Sequence, residues 1–339
     1  MKRSMSRVVA IVGAGMMFLA MEGIATGSDA AAANRRLGRG VNLGNALEAP
    51  EEGAWGMRLE ASYFKAVKEA GFQSVRIPIR WSAHAAAAAP YTIDPAFLAR
   101  VDWAVDQATR EGLVAVINTH HYEEIFSEPE AHRERFLGLW RQIAAHFRDR
   151  PASVYFELLN EPHAKLTDEI WNDLLAKALG VVRATNPDRV VIVGPGGWNN
   201  PSHLRHLKLP ATDLSLIVTI HYYNPFAFTH QGATWTGANP PPVGRRWSGS
   251  DAERKALATD FEAAAAWAKA SGRPLFLGEF GSYEKADMPS RALWTRAVRD
   301  EAEKHGMSWA YWEFGSGFGV YDRDAKTWRR PLLEALVGP

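Results

Sequence analysis

Two glutamates have the setting needed for paired acid–base and nucleophilic chemistry. Glu161 lies in Leu159-Asn160-Glu161-Pro162-His163, and Glu279 in Gly278-Glu279-Phe280-Gly281. Each follows an apolar stretch, and neither has Lys or Arg beside it in sequence. The proton affinity of such a carboxyl group is set by what the fold places around it. Two carboxyl groups on opposite walls of a narrow site suit glycoside hydrolysis. One holds a proton for the leaving oxygen, while the other stays ionised and attacks or supports the anomeric carbon. Taken singly, either Glu also has a lesser reading as an ion-paired structural acid. The pair therefore needs a fold that joins distant segments.

The element pattern predicts such a fold. Eight short apolar segments read as strands: Gly40–Leu43, Ser74–Ile79, Leu113–Asn118, Ser153–Leu158, Val190–Val193, Leu216–Ile220, Leu275–Leu277 and Ser308–Trp312. They are continuous rather than alternating, as in strands covered on both faces. Helical patterns separate them. Leu59 to Ala70 stops at Gly71, and Phe97 to Glu111 stops at Gly112, both C-cap signals. His132 to Phe147, a Thr167-capped helix to Ala184, Asp251 to Ala270 and Ser290 to Lys304 follow. Pro201–Leu207 is a short crossover, and Pro331–Leu336 closes the chain. The alternation predicts an α/β fold with a parallel sheet. Eight units favour a closed (β/α)8 TIM barrel over an open doubly wound sheet. No repeat or Ser/Thr/Pro linker divides the chain, so residues 34–339 are expected to form a single (β/α)8 catalytic domain.

In such barrels the chemistry sits at the C-terminal strand ends. Asn45 and Glu48 follow the first strand, Arg76 lies in the second, and His120 and His121 end the third. Asn160 and Glu161 end the fourth, Gly197-Trp198-Asn199-Asn200 follows the fifth, and His221 and Tyr223 end the sixth. Glu279 ends the seventh and Trp312-Glu313 the eighth. One polar residue at a strand end is usually a loop hydrogen bond; polar or aromatic groups at every end of one rim predict a site. Strands four and seven face each other in an eight-stranded barrel, which sets Glu161 opposite Glu279.

Composition narrows the partners. The formal net charge is +1, so no broad field favours nucleic acid or an acidic polymer, and a soluble monomer is expected. The absence of Cys removes disulfides, thiol nucleophiles, thiolate metal sites and a lipid-anchored N-terminal Cys. The thirteen Trp offer flat apolar faces suited to sugar rings, although a large barrel buries many of them anyway. Met1-Lys2-Arg3-Ser4-Met5-Ser6-Arg7, the apolar Val8–Met21 and the small residues that follow predict a secretory signal peptide. The run is short of the about 20 apolar residues of a spanning helix, although an uncleaved anchor is the competing reading. Residues 1–33 are set apart as a signal peptide or disordered N-terminus. The mature protein is expected to be secreted or periplasmic, without stable membrane association.

Asn160-Glu161-Pro162 with Gly278-Glu279-Phe280 resembles glycoside hydrolase family 5, within its clan of retaining (β/α) barrels. The resemblance continues in Arg76-Ile77-Pro78, His120-His121-Tyr122, His221-Tyr222-Tyr223 and Trp309-Ala310-Tyr311-Trp312-Glu313, over about residues 37–337. Gly44–Pro50, Asn224-Pro225-Phe226 with Thr229–Gly232, and Gly315–Asp322 look like its bacterial endo-β-1,4-glucanases that often also cleave mannan, subfamily 25. The resemblance implies a double displacement with Glu279 as nucleophile and Glu161 as acid/base. It implies that Asn160 holds the sugar 2-hydroxyl, Arg76 keeps Glu279 ionised, Tyr223 donates to Glu279, and His221 tunes the proton of Glu161. His120 and His121 then bind the sugar before the scissile bond over a floor of Trp312. Asn45, Glu48, His230 and Trp235 touch the glycan further along. The implied partner is a β-1,4-linked polysaccharide or oligosaccharide, with no cofactor and no metal.

Rival readings fit less well. His120-His121 with Glu123 or Glu124 suggests metal hydrolysis, but adjacent residues at a strand end diverge, and no H-E-x-x-H helix exists. Gly194-Pro195-Gly196-Gly197 lacks the spacing of a phosphate loop, and no G-x-S-x-G elbow supports a serine esterase. A non-catalytic β-glucan-binding barrel has no need of both carboxylates with Asn160 and Arg76. Among hydrolases the expectation is an endo-β-1,4-glucanase with mannan or glucomannan as second substrate; β-mannanase and xyloglucanase are the alternatives. The Phe226–Trp247 loop, with His230, Trp235 and Trp247, is expected to wall one side of a cleft.

Overall fold

The computed structural model describes residues 29–338. Of the expected N-terminal segment, residues 1–28 lie outside the described residues. All eight expected strands form: β1 (Arg39–Asn42), β2 (Ser74–Ile77), β3 (Val114–Asn118), β4 (Val154–Glu157), β5 (Val191–Val193), β6 (Leu216–Tyr222), β7 (Leu275–Phe280) and β8 (Ser308–Tyr311). Each pairs with the next in parallel, and β8 returns to β1 with Val41 opposite Tyr311, so the barrel is closed. Strands such as Val114-Ala115-Val116-Ile117-Asn118 are buried at every position. One face fills the barrel and the other meets the surrounding helices, which explains the continuous apolar runs.

Helix starts follow their caps. Asp94 caps Pro95–Arg110, ahead of the expected start at Phe97, and Asp287 caps Met288–Lys304, ahead of Ser290. Ser250 and Glu253 form a reciprocal capping box on Asp251–Ser271, which ends at Gly272 with φ 66. An unforeseen hairpin pairs Tyr321–Asp322 with Thr327–Trp328 and packs Tyr321 and Trp328 on Phe314.

The barrel interior is apolar at its base. Val116, Tyr155, Ile192, Ile217 and Phe276 form one cluster with Ala30, Ala33 and Leu37 of a helix spanning Ala30–Leu37. Tyr155 donates to the Ala33 carbonyl at 3.2 Å, and Ser308 to the Asn34 side chain at 2.6 Å. The folded domain thus includes residues ahead of the expected boundary at 34. Ala30 and Ala33, two of the small residues read as part of an export segment, lie on the apolar face that plugs the barrel. Toward the C-terminal strand ends the interior turns polar, and Asn42, Arg76, Glu157 and Thr219 are fully buried there.

Candidate active site

The approach of His221 to Glu279 begins with an irregularity. Ile220 pairs with Leu277, but His221 pairs with Glu279, leaving Gly278 as the extra residue of a β-bulge. β6 and β7 both run past their expected ends at Ile220 and Leu277, so His221 and Glu279 lie on strands rather than loops. A Cβ on Gly278 would stand 2.4 Å from Thr219 Oγ1 and 3.1 Å from His221 Nε2. Only glycine lets the two strands carry their polar groups this close. Gly278→Ala is expected to displace His221 and Glu279, lowering kcat/KM on soluble glucan by about 100-fold, the scale of a roughly 1 Å misplacement. A reducing-end assay alongside calorimetry checks this.

Glu279 is almost enclosed, with its side chain 5 % exposed. Oε1 accepts from Arg76 Nη1 at 2.7 Å and Oε2 from the Tyr223 hydroxyl at 2.9 Å. Burial pushes its carboxyl above the ordinary range, while His221, Arg76 and the Tyr223 bond pull it back. Glu161 lies just beyond β4 at φ 47 and keeps 24 % of its side chain exposed to the cleft. Burial lifts its carboxyl to about 7, against the pull of Arg76, His163 and His121. Near neutrality this group holds a proton that a ligand can reach.

His221 stands between them. Its Nδ1 is 2.8 Å from Glu161 Oε1 and 3.6 Å from Glu279 Oε2. Burial lowers its ring to about 4, so it is neutral and carries one hydrogen. Asn199 Nδ2 lies 3.3 Å from Nε2. An amide donor there puts the ring hydrogen on Nδ1, which donates to Glu161 Oε1 and leaves Oε2 for the dissociable proton. One atom each of Glu161, His221 and Glu279 lie within 4.8 Å of one another. That trio has ligand types for a cation. However, Arg76, 2.7 Å from Glu279, already supplies the counter-charge and repels a second positive ion.

The remaining expected residues sort clearly. Asn160 Oδ1 accepts from Arg76 Nη2 at 2.7 Å, which leaves its amide NH2 for a ligand on the cleft wall. His120 stacks parallel to Trp312 with centroids 5.5 Å apart, and burial holds its ring well below the usual histidine range. His121 stands perpendicular to His120 and pairs with Glu123 at 3.3 Å. The two adjacent histidines diverge as expected, yet both face the cleft. Asn45, His230 and Trp235 also line it. Glu48 does not. It is fully buried below the rim and accepts the backbone N–H groups of Asn45 and Ala46. Burial lifts its carboxyl to about 8. The expected glycan contact is therefore corrected to support of the Asn45 loop. Trp247 is likewise a core residue, packed under Arg254, so the cleft wall is Phe226, His230 and Trp235 without it.

The cleft measures about 1340 Å³, beyond the ~300–1,000 Å³ typical of sites for one small molecule, and admits a run of sugar rings. Two of its tryptophans have no sequence-assigned role. Trp55, beyond β1, meets His121 edge-on at 5.5 Å. Trp198, beyond β5, stacks on His163 at 4.7 Å, and His163 in turn bonds the Glu161 carbonyl at 2.6 Å. Both Trp are widely exposed. An aromatic after glycine at a strand end, as in Gly197-Trp198, is the signal that points to the second.

The family model of cellulases, glycosyl hydrolase family 5, matches residues 37–317. Endoglucanase H of Acetivibrio thermocellus is 38% identical over 311 residues, 90% of this chain and 33% of that protein. The chain thus spans about a third of that relative's length. Endoglucanase B of Clostridium cellulovorans is 29% identical, over 88% of this chain and 73% of its own. Among solved structures, Thermotoga maritima Cel5A in complex with cellobiose is 51% identical with a TM-score of 0.90, covering 91% of this chain and 100% of that one. The mannotriose complex of Cel5A is 50% identical with the same score and coverage. A match over most of the chain, on a closed barrel of the same shape, shows that it belongs to glycosyl hydrolase family 5.

Proposed function

We propose that this chain is an exported endo-β-1,4-glucanase acting with retention, and that mannan or glucomannan is its second substrate. The observation that carries the reading is the approach of a Glu161 oxygen to a Glu279 oxygen within 4.8 Å. Retaining sites hold their carboxyl groups about 5–5.5 Å apart, whereas inverting sites leave about 6.5–9.5 Å for a water. The unequal surroundings of the two groups support the division of labour. Glu279, ion-paired with Arg76 and nearly dry, attacks the anomeric carbon. Glu161 gives its proton to the glycosidic oxygen as that bond breaks. In the second step Glu161 takes a proton from water, the water oxygen bonds the same carbon, and the bond to Glu279 breaks. The free NH2 of Asn160 holds the 2-hydroxyl, and Trp312 floors the subsite.

The endoglucanase names of the relatives and the bound cellobiose of Cel5A support glucan as main substrate; its mannotriose complex supports mannan. Trp55 and Trp198, on loops after β1 and β5, support binding along a chain rather than at its end. The charged start and apolar run of residues 1–21 support export. A reducing-sugar screen tests the substrate. Barley β-glucan and carboxymethylcellulose should turn over fastest, glucomannan measurably, and xyloglucan least. Faster turnover of galactomannan or xyloglucan than of either glucan overturns the reading.

A further inference from the structure

We propose that Glu157 is a positioning residue for this reaction: it holds one edge of the Arg76 guanidinium so that the other N–H groups are divided between Glu279 and Asn160. The inference rests on the roles proposed for Glu161, Glu279 and Asn160.

Arg76 is fully buried and has five N–H donors, all used. Nε and Nη2 each give 2.6 Å bonds to the two oxygens of Glu157. The second N–H of Nη2 reaches Asn160 Oδ1 at 2.7 Å. Nη1 reaches Glu279 Oε1 at 2.7 Å and Asn42 Oδ1 at 2.9 Å. Asn42 is itself tied to the carbonyls of Gly278 and Ala310. Arg76 comes from β2 and Glu157 from β4, so the pair crosses the barrel interior.

A guanidinium prefers to grip a carboxylate with two parallel bonds. Among the described residues, the other carboxylate paired with Arg76 is Glu279. A bidentate grip there would occupy the nucleophile and take Nη2 from Asn160, whose amide would then be free to turn. With Glu157 on the Nε–Nη2 edge, Glu279 receives a single Arg76 bond and Asn160 keeps its orientation. The charge of Glu157 also matters. Glu157 faces Arg76 on β2, acts on Glu161 beyond β4 and His221 on β6, and shares Arg76 with Glu279 on β7. Its negative charge raises the proton affinity of both Glu161 and His221.

Glu157→Gln keeps the shape and loses the charge. On an aryl cellotetraoside, kcat should fall about 30-fold or more. Both limbs of the kcat/KM profile should move to lower pH, since Glu279 and Glu161 each lose a nearby negative charge. Active sites counted by trapping with a 2-deoxy-2-fluoro-β-cellobioside should stay near one per chain. Wild-type kcat and limbs overturn the inference; so does a loss matched by fewer trappable sites with unmoved limbs, the mark of a merely structural role. Should Glu157→Gln not fold, Glu157→Asp serves. It keeps the charge on a shorter arm, so kcat should fall with the limbs unmoved, and limbs that move with kcat unchanged overturn the inference. Glu161→Gln and Glu279→Gln run alongside. If both turn over normally, the functional reading fails; if both are inactive while Glu157→Gln matches wild type, only this inference fails.

Discussion

Glu279→Gln is expected to lower kcat on cellotetraose by about 10⁴-fold or more, the scale of losing a covalent nucleophile. The amide keeps the size of the carboxylate; its oxygen can accept from Arg76 while its NH2 donates to the Tyr223 hydroxyl oxygen, but it cannot bond the anomeric carbon productively. The fold should persist because Arg76 stays doubly bonded to Glu157 at 2.6 Å. KM should change little, since the other groups lining the cleft are untouched. Azide gives a sharper readout in Glu279→Ala. It can attack from the vacated face and should restore turnover with an α-glycosyl azide product. A Glu279→Gln protein with more than a tenth of wild-type kcat would remove the residue from the chemistry.

The second large effect concerns Glu161. Its carboxyl, lifted to about 7 by burial, must be protonated for the first step. Wild-type kcat/KM should therefore fall as pH rises through about 7. It should also fall on the acid side, where Glu279 takes up a proton. Glu161→Gln should lose about 10²–10⁴-fold on oligosaccharides, the usual contribution of a positioned proton donor. With a dinitrophenyl leaving group, which needs no proton, the first step should survive and the covalent intermediate should accumulate as a burst. The basic limb should vanish while the acid limb remains. A basic limb that persists in Glu161→Gln would assign that titration elsewhere.

The barrel was legible because its strands are buried on both faces and cannot alternate, and because glycines and caps punctuate the helices between them. The placement of Glu161 and Glu279 on one rim was legible because each directly follows an apolar strand with no Lys or Arg beside it in sequence. What escaped depends on facing geometry. The bulge at Gly278 needs the pairing of His221 with Glu279, which no local pattern encodes. Glu157 reads as an ordinary strand residue until Arg76 reaches it across the barrel. Glu48 was misread because a carboxylate in a rim loop serves a ligand or the loop's own N–H groups equally well by sequence. Ala30 and Ala33 match the small residues of an export segment, and only contact with Val116, Tyr155 and Phe276 makes them a plug. Trp81, Trp140, Trp171, Trp294 and Trp309 are core, while Trp55, Trp198 and Trp235 are exposed on the cleft; composition alone could not divide them.

In the proposed mechanism Glu279 bonds the sugar while Glu161 moves the proton. The most direct test is to inactivate the protein with 2,4-dinitrophenyl 2-deoxy-2-fluoro-β-cellobioside and map the labelled peptide by mass spectrometry. One fluorocellobiosyl group per chain is expected, on Glu279, in the peptide carrying Leu277-Gly278-Glu279-Phe280. A label on Glu161 or another residue, or turnover with no label at all, would contradict the mechanism.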